Sequence, residues 1–218
     1  MSKLQPVRGT ADLLPDVMAQ HRLVIDKARR TTARYGFQEM ATPIFEFSEV
    51  FSRPLGESSD IVTKENYSFA DRGGEMLTLR PENTAGVVRA MISGGLTQSL
   101  PLKYFYAGPM FRYERPQAGR QRQFHQIGVE WLGASNARSD VEVIALAWDF
   151  LASLGVGGLA LELNSLGSAD DRKAYRTALV AWLEQRAEQL DQDSRSRLST
   201  NTLRILDSKN KATQALLE

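Results

Sequence analysis

Between Lys103 and Gly133 the chain runs through two stretches in which apolar and polar residues alternate, around a short, basic, turn-rich middle. Alternation of period two predicts strands, and two such runs about a turn predict a β-hairpin. On the incoming strand Tyr104, Tyr106, Gly108, Met110 and Arg112 share one face, and Phe105, Ala107 and Phe111 the other. Pro109 cannot donate to a ladder, which puts the strand at an edge or bends it there. On the return strand Phe124, Gln126, Gly128 and Glu130 alternate with His125, Ile127, Val129 and Trp131. The Ile127, Val129, Trp131 face is apolar enough to pack. The opposite face would bury a carboxylate and an amide without partners in a closed core, so it is expected to line a cavity.

Other rhythms surround the hairpin. Residues 5–13 read as a turn-rich N-terminal arm carrying an arginine. From Pro15, apolar residues recur at three- and four-residue spacing (Leu14, Val17, Met18, His21, Val24, Ile25, Ala28), which predicts a helix stopping near Gly36. The next run, 37–47, is β-like, with Pro43 marking an edge or a strand end. Residues 52–75 are polar and read as a connection, with a short strand near Asn66–Ala70 and a turn at Arg72-Gly73-Gly74. Met76–Leu79 is a strand leading through Arg80-Pro81-Glu82-Asn83-Thr84 into a helix with Ala85, Val88, Met91 and Ile92 on one side. A helix over 138–154 is expected to bury Val141, Ile144, Ala145, Trp148 and Leu151. A strand over 159–167 is expected to turn Leu159, Leu161 and Leu163 inward, and a helix follows from Asp170 to Gln189. From Glu184 to Glu218 the chain carries six acids and six bases on a weak helical pattern. That end reads as either a solvated tail or a chain cut off within a fold.

Composition narrows the chemistry. The 218 residues carry 27 Lys+Arg against 26 Asp+Glu, so any nucleic-acid contact must come from a local patch. With no cysteine there are no disulfides, thiolate metal sites or cysteine nucleophiles, and two histidines leave little for a histidine-rich metal site or a Ser-His-Asp triad. No metal-binding set is expected. No apolar run approaches membrane-spanning length, and the chain is expected to be cytoplasmic. The patch is in the hairpin: Lys103, Arg112, Arg115, Arg120 and Arg122 stand with a single acid, Glu114, among Tyr104, Phe105, Tyr106, Phe111, Tyr113 and Phe124. Arginines over an aromatic face suit a ligand both anionic and planar, such as a nucleotide. Glu82 and Thr84, at a strand-to-helix junction, have two readings: capping groups of the helix, or polar groups facing a small-molecule pocket.

Several stretches in order resemble the N-terminal half of the bacterial histidyl-tRNA synthetases, a family of class II aminoacyl-tRNA synthetases. They are PVRGTADLLP (6–15), GFQEMATPIFE (36–46) at the end of the dimer-forming motif 1, TLRPENTAGVVRA (78–90), motif 2 as MFRYERPQAGRQRQFHQIGVEWLG (110–133), LELNSLG (161–167) and LRILDSKN (203–210). The resemblance implies an α+β fold, the class II synthetase catalytic domain, with a mainly antiparallel sheet flanked by helices, truncated. Residues 1–167 would be a partial catalytic core and 168–218 the start of an inserted helical region. It implies histidine–tRNA ligase chemistry, with histidine, ATP with Mg2+, and the tRNA for histidine as substrates, and a homodimer through motif 1.

Carried over by similarity, Arg112 is the catalytic arginine on the α-phosphate and substrate carboxylate. Glu114 meets the adenine amino group, Phe124 stacks on the ring, and Arg120 approaches the outer phosphates. Glu82, Thr84, Gln126 and Glu130 hold the histidine ammonium group. Asn83 stands where many bacterial relatives have Gly. The second histidine signature, motif 3 and the anticodon-binding domain are not found in the 218 residues. The chain therefore reads as a piece expected to bind ATP or histidine weakly and not to aminoacylate at a normal rate. Two alternatives stay open. One is the synthetase-like regulatory subunit of ATP phosphoribosyltransferase in histidine biosynthesis. The other is a non-catalytic dimerisation or tRNA-binding module.

Overall fold

The computed structural model describes residues 4–55, 66–165 and 167–217. The chain divides into two compact units, 1–158 and 159–218. The first begins with helix α1 (Pro15–Arg34), which has Pro15 in its first turn and Asp16 at its positive end. Strands β1 (Gln38–Glu39) and β2 (Phe45–Phe47) follow, then helix α2 (Glu49–Leu55). Next come β3 (Tyr67–Ala70), β4 (Met76–Leu79), helix α3 (Thr84–Ser93), the hairpin strands β5 (Leu102–Phe111) and β6 (Gln123–Leu132), and helix α4 (Ala137–Ser153). The β-like run 37–47 is thus two strands broken around Pro43, and each joins a different sheet.

One sheet has the order β1-β5-β6 and the other β2-β4-β3. Every pairing is antiparallel except β1 on β5, so the mainly antiparallel expectation holds. The hairpin ladder runs unbroken from Leu102↔Leu132 to Phe111↔Gln123. β1 pairs with β5 only at Tyr104 and Phe105, so Pro109 lies beyond its reach, on an edge that no described strand pairs, as its missing N–H requires. The carbonyl of Pro109 accepts from Arg80 Nε at 2.9 Å, and Arg80 Nη1 donates to Thr42 O at 2.9 Å. Burial lowers the pKa of this guanidinium, and its hydrogen bonds bind β4, β5 and the link between β1 and β2 together.

The apolar face of the hairpin packs as the alternation predicts. Phe105 joins Ala28, Phe37 and Leu146 in a core that Ile127, Val129 and Trp131 cover. Each such large side chain withdrawn from water contributes about 1.5–3 kcal/mol before entropy is charged against it. Lys103 crosses the end of this layer, 3.8 Å from the Trp131 ring centre, donating to Tyr35 O at 3.0 Å and pairing with Glu142. It joins α1, β5 and α4 through one side chain.

Helix faces depart from the sequence reading. In α4, Ser139 and Leu146 are buried and Val143 and Phe150 pack on the core, while Val141, Trp148 and Leu151 are exposed. The helix is apolar on more than one side, and packing against α1 selects the 143–146–150 stripe. In α3 the buried residues are Gly86 and Val87, whereas Ala85, Val88 and Ile92 line an open groove of about 1060 Å³ with Phe47, Val50 and Met76. In α1 the face closes only from Ala28 onward, and Leu14, Val17 and Met18 remain exposed. Helix α2, which anchors Phe51 at 0% exposure, replaces the start of the expected connection. Residues 56–65 of that connection lie outside the described residues.

The second unit is helical. Residues 159–165 form no strand, and Leu161 and Leu163 are exposed. A strand persists only where another backbone takes its hydrogen bonds, and among the described residues none pairs with this stretch. Helix α5 (Ala169–Glu184) starts at a capping box in which Ser168 and Asp171 exchange side-chain and backbone bonds. Helices α6 (Gln192–Arg197) and α7 (Lys211–Leu217) follow. Leu183, Leu190 and Ile205 are buried with Leu179, Leu198, Leu216 and Leu217 around them. The charged C-terminal stretch is therefore a folded cluster, not a solvated tail.

Candidate functional site

The polar face of the hairpin meets the N-terminus of α3. By the antiparallel register, Tyr104 faces Glu130, Tyr106 faces Gly128, Gly108 faces Gln126 and Met110 faces Phe124. Gly128 is required by its partner: a Cβ there would collide with the Tyr106 ring and hydroxyl. The ring crosses the strand and brings its hydroxyl to Glu130, donating to Oε1 at 3.3 Å, while Thr84 Oγ1 donates to the same oxygen at 2.7 Å. Burial raises the Glu130 pKa; the Thr84 and Tyr106 hydrogen bonds oppose this, and the Glu82 carboxylate adds to it. Burial, reinforced by the Glu130 charge, pushes the Tyr106 phenol up to about 12. Two residues along the same face of β6, the Gln126 Oε1 atom is buried without a hydrogen-bond partner. This end of the site is rich in acceptors and short of donors.

Glu82 fulfils the capping role, accepting from Thr84 N at 2.5 Å and Ala85 N at 3.1 Å. The capping reading of that junction holds for Glu82. Thr84 turns its hydroxyl to Glu130. Asn83 is buried at 1% exposure, and its Oδ1 accepts from Thr42 Oγ1 at 2.6 Å. It is tied to the framework of Thr42 and Arg80.

The other end of the site is basic and aromatic. Arg112 Nε donates to Pro81 O at 2.9 Å, which ties this arginine to the segment carrying Glu82. Its guanidinium lies 5.0 Å from the Phe124 ring centre, and Nη1 is 4.0 Å from Glu114 Oε1. Arg120, in the turning loop, pairs with Glu114 at 3.2 Å and is otherwise exposed. All eight residues singled out in the sequence thus lie on the hairpin or at the start of α3, in an acceptor-rich group (Glu82, Thr84, Gln126, Glu130) and a basic, aromatic one (Arg112, Glu114, Arg120, Phe124). Sequence reasoning gave Tyr106 no role. The signal for it was a glycine, Gly128, facing an aromatic residue across the ladder.

The family model described as histidyl-tRNA synthetase matches residues 9–215. Among curated relatives, the histidine–tRNA ligase of Synechococcus sp. (strain CC9902) is 66% identical over 218 residues, covering 100% of this chain and 51% of that protein. The histidine–tRNA ligase of Rhodospirillum rubrum is 59% identical, again over the whole chain and 52% of that protein. The chain thus spans about half the length of the curated relatives it matches. Among solved structures, apo S. aureus histidyl-tRNA synthetase superposes with a TM-score of 0.75 at 36% identity, over 97% of this chain and 50% of that one. The fold is therefore that of a histidyl-tRNA synthetase catalytic domain. A Bacillus halodurans protein described as an ATP phosphoribosyltransferase regulatory subunit/histidyl-tRNA synthetase shares the fold at 21% identity, with a TM-score of 0.66. With a family model spanning most of the sequence and relatives this similar along its whole length, the chain belongs to the histidyl-tRNA synthetase family.

Proposed function

We propose that this chain carries the motif 2 part of the active site of a histidine–tRNA ligase, with a histidine half-site and an ATP half-site on one hairpin face. The observation that carries the reading is the acceptor-rich cluster of Glu130, Thr84 and the unpartnered Gln126 oxygen, next to the Arg112–Glu114–Phe124 group. A cationic amine is the ligand such acceptors lack. In the activation step a histidine carboxylate oxygen attacks the α-phosphorus of ATP. The new P–O bond forms as the bond to pyrophosphate breaks, and charge grows on the non-bridging oxygens. Arg112, oriented by its Nε bond to Pro81 O, presents its Nη groups to that charge. Glu114 takes the adenine amino group and Phe124 the ring face, while Arg120 leaves Glu114 for the outer phosphates. Mg2+ would enter with ATP as its complex and neutralise charge on the phosphates. Transfer of histidine to its tRNA completes the reaction of the whole enzyme. Residues 1–167 are then the partial catalytic core and 168–218 the start of the inserted helical region.

A homodimer and a cytoplasmic setting go with this reading. Exposed Leu14 at the cap of α1, Val17 and Met18 within it, and Phe45 and Phe47 on β2 support an interface through motif 1. No described helix is long and apolar enough to cross a membrane. The same apolar surface favours the second reading, a non-catalytic dimerisation module. Calorimetric titration with ATP·Mg2+ and with histidine separates the two. The ligase reading expects weak heat from each, with the ATP signal lost in Arg112→Ala. No heat from either ligand at millimolar concentration would leave only the module. Pyrophosphate exchange by this chain at the rate of a whole enzyme would overturn its reading as a partial site.

A further inference from the structure

We infer that Gly9 and Arg122 are positioning residues that hold the tip of the hairpin in the geometry the nucleotide half-site needs; this rests on the ligase reading above. The ladder ends at Phe111↔Gln123, yet Glu114 and Arg120 both lie beyond it. Between residues 112 and 122 the two limbs are joined by one backbone bond from Arg112 N to Arg122 O, at 2.9 Å, and by an isolated bridge between Gln117 and Arg120. So sparse a ladder does not fix the place of a carboxylate and a guanidinium.

The N-terminal arm supplies the missing constraint. Thr10 closes a turn by donating from N and Oγ1 to Val7 O, at 2.9 and 2.8 Å. The carbonyl of Gly9 then points at the hairpin and accepts from Arg122 N at 2.7 Å and Gln123 N at 3.2 Å. Gly9 has φ +84°, and a Cβ there would sit 2.8 Å from Arg122 Cγ, so both conformation and space call for glycine. Arg122 passes the constraint on. Its Nε donates to Glu114 O at 3.2 Å, and its guanidinium lies 4.1 Å from the Tyr113 ring centre. Tyr113 in turn packs edge-on against Tyr67 of β3, 5.5 Å between centres. A chain of contacts therefore runs from the arm through Arg122 to the backbone of Glu114. The contacts of Arg122 run to Gly9 of the arm, to Glu114 O and to the Tyr113 ring, so its work is placement of the loop.

The test uses this chain, with ATP·Mg2+ and histidine titrated separately and amide exchange followed over residues 102–132. In Gly9→Ala, which changes no charge, ATP binding is expected to weaken about tenfold, the loss typical of one misaligned charge-assisted hydrogen bond. Histidine binding should hold within about twofold, and protection should fall over 112–122 but not along the ladder. Arg122→Lys keeps the charge but loses the planar donor and the stacking, and it should match Arg122→Ala. If lysine restores ATP binding, Arg122 acts as charge near the phosphates and the brace is overturned. The brace is also overturned if Gly9→Ala leaves exchange over 112–122 unchanged. Should the parent chain bind no ATP, the nucleotide reading fails, and the exchange data alone decide on the brace. Should Gly9→Ala not fold, Arg122→Lys, which strains no backbone, decides in its place.

Discussion

Two carboxylates, one in each unit, are held by hydroxyl groups and yet shifted in opposite directions. Asp191, the N-cap of α6, accepts from Asp193 N and Ser194 N at 3.0 Å each, from Ser194 Oγ at 2.6 Å and from Thr213 Oγ1 at 2.7 Å. Those donors hold its pKa far below the ordinary carboxylate range, the Ser194 hydroxyl most of all. Glu130 has two hydroxyl donors, burial and a neighbouring acid, and its pKa is raised. A carboxylate that builds a fold has its bonds completed from within, whereas one poised for a ligand is left short of positive charge. If Glu130 takes the histidine ammonium group as proposed, the difference would separate a structural acid from a binding one without reference to motifs.

The strongest way to break this comparison is Asp191→Ala. It strips the acceptor from α6 and from the bond to α7, and amide protection over 191–197 should be lost. Retained protection there would show that the leucine cluster alone holds the helices. Next in size is Gly128→Ala, whose methyl group must displace Tyr106 from Glu130. Overpacking of this kind costs about 1–3 kcal/mol, read as a lower urea midpoint for the first unit. Glu130→Gln should divide the effects. Histidine binding weakens about tenfold or more as a charge-assisted bond is lost, while stability holds or rises because a desolvated charge is gone. A clear loss of stability in that variant would return Glu130 to the structural class.

The smallest effect is the dependence on pH, and its two signs differ. The raised Glu130 pKa means its ionised form costs stability above the folded value, a cost relieved as pH falls toward the ordinary 4.5. Histidine affinity should fall over that same window. Asp191 contributes stability above its ordinary 3.8, and loses it only as pH drops through its depressed folded value. An acid titration should therefore weaken histidine binding before it disturbs α6.

The sequence was most legible where local pattern and pairing agree. Period-two alternation placed the clustered residues of the hairpin on their observed faces, and Pro109 marked the edge that no described strand pairs. It misled where apolar residues outnumber the positions a helix can bury, as in α3 and α4, because the choice of face is made by packing against elements distant in sequence. It failed at α2, where Pro54 and polar residues hid a helix around Phe51. In the second unit it placed α5 but missed the cluster beyond it, where dispersed leucines and a Ser/Thr shell about Asp191 carry no periodic signal. Within the site, the motif residues were visible because their chemistry is unusual for a strand. Gly9, Arg122 and Tyr106 act through geometry, which leaves a fainter trace.

The stretch 159–165, with its alternating exposed leucines, bears on the colloidal behaviour of the chain. A β-prone segment with no strand partner among the described residues is an open template for a second backbone, and alternating leucines make the resulting seam dry. Neither Leu161 nor Leu163 belongs to a buried cluster. Replacing both with lysine should leave the folded cores intact while raising the concentration at which the protein begins to precipitate. That result would separate the residues that set solubility from those that set folded stability.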